Sequence, residues 1–117
     1  MAKDDYYTIA AKILIFLYKK LKGKETRENT EYIMPMTKDF PISEEYLQYV
    51  IEKMQERGYI EKVVIVKAWG GDIVRFDYSK MRIEPAGIDY MLENTTIRKV
   101  IEGLKEAAEI ASLFSPL

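Results

Sequence analysis

Neither cysteine nor histidine occurs in the 117 residues of this chain. Their absence excludes disulfides, thiol nucleophiles, imidazole acid/base catalysis and nearly all zinc sites. It also fits a reducing cytoplasm, which is the expected location. No apolar run is long enough to span a bilayer, the run Ile13–Leu17 included. The start, Met1-Ala2-Lys3-Asp4-Asp5, is too acidic for a signal peptide. Glycine-rich phosphate loops and nucleophile elbows are also missing. The carboxylates fall mostly on helix faces that read as solvated, so no catalytic, cofactor or metal residue is expected and the chain does not read as an enzyme. A strong charge of one sign is lacking as well. The net charge of −1 divides as +3 over residues 1–29, −3 over 30–60, +2 over 61–83 and −3 over 84–117. None of these segments is basic enough to make a nucleic-acid footprint by composition.

What is present is an ordinary folding composition. Apolar residues make up 48% and charged residues 32%, enough for one domain, 1–117, with a real core. Asp4 or Asp5 can cap a first helix running to about Lys22, with Gly23 as its stop. Tyr6, Ile9, Ala10, Ile13, Leu14, Phe16, Leu17 and Leu21 cover a very wide arc of it, with Ile15 and Tyr18 outside. A helix so widely apolar needs cover from more than one side and reads as central. Residues 24–31 read as loop, and Pro35 turns 32–36 into an edge strand or short turn.

Ser43 caps a second helix over 43–57. Ile42 and Leu47 form a hydrophobic staple, Glu44 and Glu45 sit in the first turn, and Arg57-Gly58 ends it. Tyr46, Leu47, Val50, Ile51 and Met54 make its buried face. Two β-forming runs follow, Tyr59–Trp69 and Ile73–Tyr78, joined at Gly70-Gly71 in a tight turn. Pro85 opens a third helix that stops near Asn94. Thr95 or Thr96 caps a last helix over about 95–114, striped by Ile97, Val100, Ile101, Leu104, Ala107, Ala108 and Ala111. A capped helix, a glycine stop and a two-stranded wing follow the order of a winged helix, an α+β fold, here with an added C-terminal helix. The helix that should precede the capped one has only Thr37–Phe40 to form from, so it is shortened or missing.

Winged helices commonly place such a helix in the DNA major groove. On that reading Gln48 and Gln55 reach base edges, while Lys67 and Arg75 of the wing meet phosphates of double-stranded DNA. Against it, Glu45, Glu52 and Glu56 point opposite the buried arc, where carboxylates repel a duplex; a solvated face is the simpler reading. The alternative is a protein-interaction module on the same scaffold. It would use Trp69 at the wing tip, or Ile110, Leu113 and Phe114, which project off the stripe of the last helix and suit a partner or a homodimer. Trp69 equally suits folding back onto the hairpin. The run Lys19-Lys20-Leu21-Lys22-Gly23-Lys24 reads as favourable charge at a helix end, with an anionic partner as the alternative.

The pattern Lys3-Asp4-Asp5, Ile13-Leu14-Ile15-Phe16, Ile42-Ser43-Glu44-Glu45-Tyr46-Leu47, Met54-Gln55-Glu56-Arg57-Gly58-Tyr59-Ile60 and Ile83-Glu84-Pro85-Ala86-Gly87-Ile88-Asp89-Tyr90-Met91 resembles the YjcQ-like family. The resemblance runs from about Lys3 through the last helix. It implies a winged-helix fold and a bacterial or prophage origin, and it brings no catalytic or ligand residue with it.

Overall fold

The computed structural model describes residues 6–23, 33–38 and 40–104. These residues form an α+β fold, with four helices and four short strands among them: α1 Tyr6–Leu21, α2 Glu44–Glu56, β1 Ile60–Glu61, β2 Val64–Lys67, β3 Ile73–Asp77, β4 Arg82–Ile83, α3 Pro85–Glu93 and α4 Thr95–Glu102. The arrangement is compatible with a winged-helix-like fold.

The centre is α1, which packs against α2, α3, α4 and β4. Its residues from Thr8 to Leu17 are buried with the exception of Lys12. Ile15, expected outside the apolar arc, is buried too, because a helix covered by four elements has no single solvent side. Gly23 ends it in the left-handed region at φ 73, as a C-terminal glycine should. The caps expected at Asp4 or Asp5 lie outside the described residues.

Between α1 and α2 the described residues hold turns rather than a helix. Met36 donates its amide to the Ile42 carbonyl (2.9 Å) and Thr37 to that of Phe40 (3.2 Å). Ile33 and Phe40 are fully buried, and the Tyr78 hydroxyl donates to the Ile33 carbonyl at 3.0 Å. This segment thus plugs the core where a fuller helix-turn-helix has another helix.

In α2, the Ser43 hydroxyl accepts from the Tyr46 amide at 3.2 Å. Ile42 and Leu47 are both buried, as a staple requires. Gly58 at φ 78 turns the chain, and the Tyr59 amide reaches back to the Met54 carbonyl at 3.0 Å.

The β region departs from the sequence reading. The run Tyr59–Trp69 is not one strand. It breaks at Lys62, which adopts φ 68, and serves two separate antiparallel pairs: β1 with β4, and β2 with β3. The first pair lies against the helices; the second forms the wing. The wing turn is also longer than a two-residue turn. Ala68 donates to Asp72 (2.7 Å) and Gly71 to Ala68 (2.9 Å), so Trp69-Gly70-Gly71 form a three-residue loop with Gly71 at φ 90.

Pro85 stands at the start of α3 as expected. Its first turn rests on the chain before β1: the Glu84 amide donates to the Tyr59 carbonyl at 2.9 Å. Gly87 is buried there, and a Cβ on it would collide with that same carbonyl oxygen. The Tyr59 and Tyr90 rings stack across this junction, 4.2 Å between centroids.

The cap of α4 is Asn94 rather than a threonine. Its side-chain oxygen accepts from the Ile97 amide at 3.1 Å. Asparagine outranks threonine at this position, which accounts for the shift by one residue. Ile97, Val100 and Ile101 are buried toward the core. The helix ends at Glu102 with Gly103 as its C-cap. The continuation to 114, with Ile110, Leu113 and Phe114, lies outside the described residues.

Candidate functional site: the wing and the outer face of the second helix

The wing is joined to α2 by two side-chain links. The first is Gln55. Its carbonyl oxygen accepts from the Val63 amide at 2.8 Å, and its NH2 group donates to the Val63 carbonyl at 3.0 Å. Val63 sits between β1 and β2, where the chain leaves one strand pair for the other. It has no ladder partner there, so the carboxamide satisfies both of its backbone groups. Gln55, expected at base edges, is thus a clamp within the protein.

The second link is Lys67. Its ammonium lies 2.8 Å from the Glu52 carboxylate. Alternation along β2 explains the reach: Val64 and Val66 are exposed, Ile65 is half-buried opposite Phe76, and Lys67 shares the side of Ile65. The hydrogen bond and charge of Glu52 hold the lysine above its ordinary pKa. The Glu52 side chain is only 17% exposed beneath this contact.

Beside them, Lys53 and Glu56 on the outer face of α2 satisfy each other. Lys53 meets Glu56 at 3.2 Å and lies over the Tyr49 ring, 5.6 Å from its centroid. Two of the three glutamates that define this face therefore carry their own lysines. Glu45 is exposed in the first turn, where the helix dipole favours it. Gln48 is half-buried and makes no side-chain hydrogen bond among the described residues.

Arg75 is exposed on β3 opposite Val66. Two residues on, the Asp77 carboxylate accepts from the Ser79 hydroxyl (2.7 Å) and the Ser79 amide (2.9 Å). Those bonds hold it below the usual carboxylate range, with smaller contributions from Arg75 and Lys80. Among the described residues, Lys62, Arg75, Lys80 and Arg82 have no salt-bridge partner.

Trp69 projects from the tip. Its relative exposure is 107%, so it packs on nothing, and the fold-back onto the hairpin does not occur. Val64, Val66 and Val74 add exposed apolar surface along the same ribbon. The sequence could mark Trp69 as exposed or packed but not choose, because nothing local fixes its direction. The Gln55 clamp and the Lys67–Glu52 pair gave no sequence signal. Both depend on how the wing lies across α2.

Among the described residues, no helix is long and apolar enough to cross a membrane, and no group of acidic side chains converges as a metal site.

The fold and site together define a small α+β fold whose hairpin wing is fastened to α2. The chain belongs to the YjcQ family: the profile of the YjcQ protein matches residues 12–110. Nothing among curated proteins or solved structures matches the chain.

Proposed function

We propose that the protein is a non-enzymatic interaction module on a winged-helix-like scaffold, and that the wing is its recognition element for another protein. The observation that carries this reading is the complete exposure of Trp69 at the tip of a ribbon whose Val64, Val66 and Val74 are also exposed. Exposed apolar ribbons mark contact surfaces, and tryptophan is enriched among the residues that dominate binding energy. The clamp at Gln55 and the Lys67–Glu52 pair fasten the ribbon to α2, so little flexibility is lost on binding. The test is site-specific photo-crosslinking in the source cell, with the reactive side chain at position 69 and, as a control, at position 45. A discrete protein adduct from 69 and none from 45 is the expected result. No adduct from 69, or the same adduct from both, refutes it.

A second reading, a DNA-binding regulator that holds the duplex with its wing, is favoured by one observation. Lys62, Arg75, Lys80 and Arg82 are exposed on or beside the ribbon without salt-bridge partners among the described residues. On this reading Gln48 and Lys67 are secondary contacts, and Gln55 reaches a base only by leaving Val63. Titration against a mixed duplex pool decides it. Binding that falls steeply with salt and weakens in Arg75→Ala supports DNA recognition; no binding at low salt excludes it.

A further inference from the structure

A groove lies between the last turns of α1 and the segment that runs from the β3–β4 connection into β4. Its volume is about 430 Å³, within the range of small-ligand sites. The floor is apolar: Leu17, Met81 and Ile83 line it and are themselves buried. Among the described residues the rim carries three cations, Lys20, Lys80 and Arg82, and no carboxylate. Lys20 comes from α1, within the lysine-rich helix end; Lys80 comes from the β3–β4 connection and Arg82 from β4.

We propose that this groove binds a small amphiphilic anion, an aliphatic chain ending in a carboxylate or phosphate. The apolar floor accepts the chain, and the cationic rim meets the head. The composition excludes the two simpler ligands. A bare anion leaves the apolar lining uncovered, above all the half-exposed Leu21, and a neutral apolar molecule leaves three cations without a counter-charge. The nearest acids do not cancel the rim. Glu61 stands opposite Arg82 in the β1–β4 pair, and Glu84 also acts on Arg82, so that guanidinium is partly screened. Lys20 and Lys80 have no ion partner among the described residues. Asp77 is turned to Ser79, whose hydroxyl donates to it. The head is therefore expected nearest the two lysines.

Methyl-resolved NMR titration of the full chain tests this, with decanoate, decyl phosphate, decanol and inorganic phosphate as probes. Decanoate or decyl phosphate is expected to shift the methyl signals of Leu17, Met81 and Ile83 saturably, and the tighter of the two identifies the head group. Decanol and inorganic phosphate are expected to bind at least about tenfold more weakly. The double variant Lys80→Ala/Arg82→Ala removes two exposed charges and is expected to weaken the anion about tenfold while leaving decanol unchanged. Lys20→Ala tests the α1 side of the rim independently and is expected to weaken the anion several-fold. Equal affinity for decanol and decanoate overturns the proposal. So do shifts centred on Val64 and Val66, or anion binding indifferent to all three cations.

Discussion

Replacing Gln55 by alanine tests the link between helix and wing directly. The carboxamide makes two hydrogen bonds, 2.8 and 3.0 Å, to one residue's amide and carbonyl. Each such bond contributes about 0.5–1.5 kcal/mol net. Both are half-buried rather than fully enclosed, so water replaces part of what is lost. The expected cost is about 1–2 kcal/mol, a fall in Tm of roughly 5–10 °C for a domain near this size. The local effect is sharper. The Val63 amide loses its only acceptor, and its hydrogen exchange accelerates by about tenfold if local opening becomes easier by roughly 1.4 kcal/mol.

Gln55→Glu separates the two bonds. A carboxylate still accepts from the Val63 amide but faces the Val63 carbonyl with another acceptor. The variant is expected to be less stable than wild type at neutral pH. Its introduced carboxyl titrates above the usual glutamate range, because only the protonated form can donate to the carbonyl. A group raised in this way adds stability below its unfolded pKa and loses it as pH rises through the folded value. The variant therefore recovers on acidification. Replacing the chain's other glutamine, Gln48→Ala, is the control and is expected to be nearly neutral. If Gln55→Ala changes neither Tm nor Val63 exchange, the wing is not held as described and the rigidity assigned to it fails.

Gly87→Ala forces a methyl group onto the Tyr59 carbonyl and within 3.0 Å of Ile83 Cγ1, so it is expected to destabilise by about 1–3 kcal/mol in denaturant melts despite alanine's better helix propensity. A neutral or stabilising result refutes the close approach of α3. Burial pushes the Tyr90 phenol up to about 12, with Tyr59 and Tyr6 adding to the shift. Its stabilising contribution is complete below pH 10 and is lost as pH rises through about 12. Ultraviolet titration of wild type against Tyr90→Phe should lack a tyrosine ionising near 10 at this position. The neighbouring Glu61 carboxyl raises that of Glu84, so the pairing contributes in acid and fades as pH rises through the raised value. Glu84→Gln is expected to flatten the corresponding part of the stability–pH profile, and an unchanged profile refutes the pairing. Trp69→Ala is expected to leave Tm unchanged, and wild-type Trp69 emission is expected to resemble that of free tryptophan in water; a clear loss of stability would show that the ring packs.

The features legible in sequence are those set within a few residues. Ser43, Gly58, Pro85 and Gly23 mark their helix ends because capping and left-handed turns depend on the residue at that spot. The central place of α1 followed from its breadth of apolar residues. The break at Lys62 was not legible. Tyr59–Trp69 has strand composition throughout, and lysine has no preference for φ 68. Tertiary structure imposes that turn, because Tyr59 and Ile60 are held by α3 and β4 while Val64 must start the wing. Likewise Gln55 and Val63 are eight positions apart across the Gly58 turn, and no periodicity relates them.

The row of glutamates on α2 takes a different meaning in this setting. Read alone, Glu45, Glu52 and Glu56 are charges that would repel a duplex. In the folded chain Glu52 holds Lys67 of the wing, Glu56 holds Lys53 of its own helix, and Gln55 between them holds Val63. Glu52, Gln55 and Glu56, within little more than one helical turn, are thus committed inward or sideways. A ligand that docked the C-terminal turn of this face would first have to break the Gln55 bonds, then separate Lys67 from Glu52, which leaves Glu52 uncompensated beneath the wing. Each step costs free energy before a contact is made. No such cost attaches to Trp69, Val64 and Val66, which are already exposed. The same residues that close the helix face therefore hold the wing ready, and recognition is expected at the ribbon.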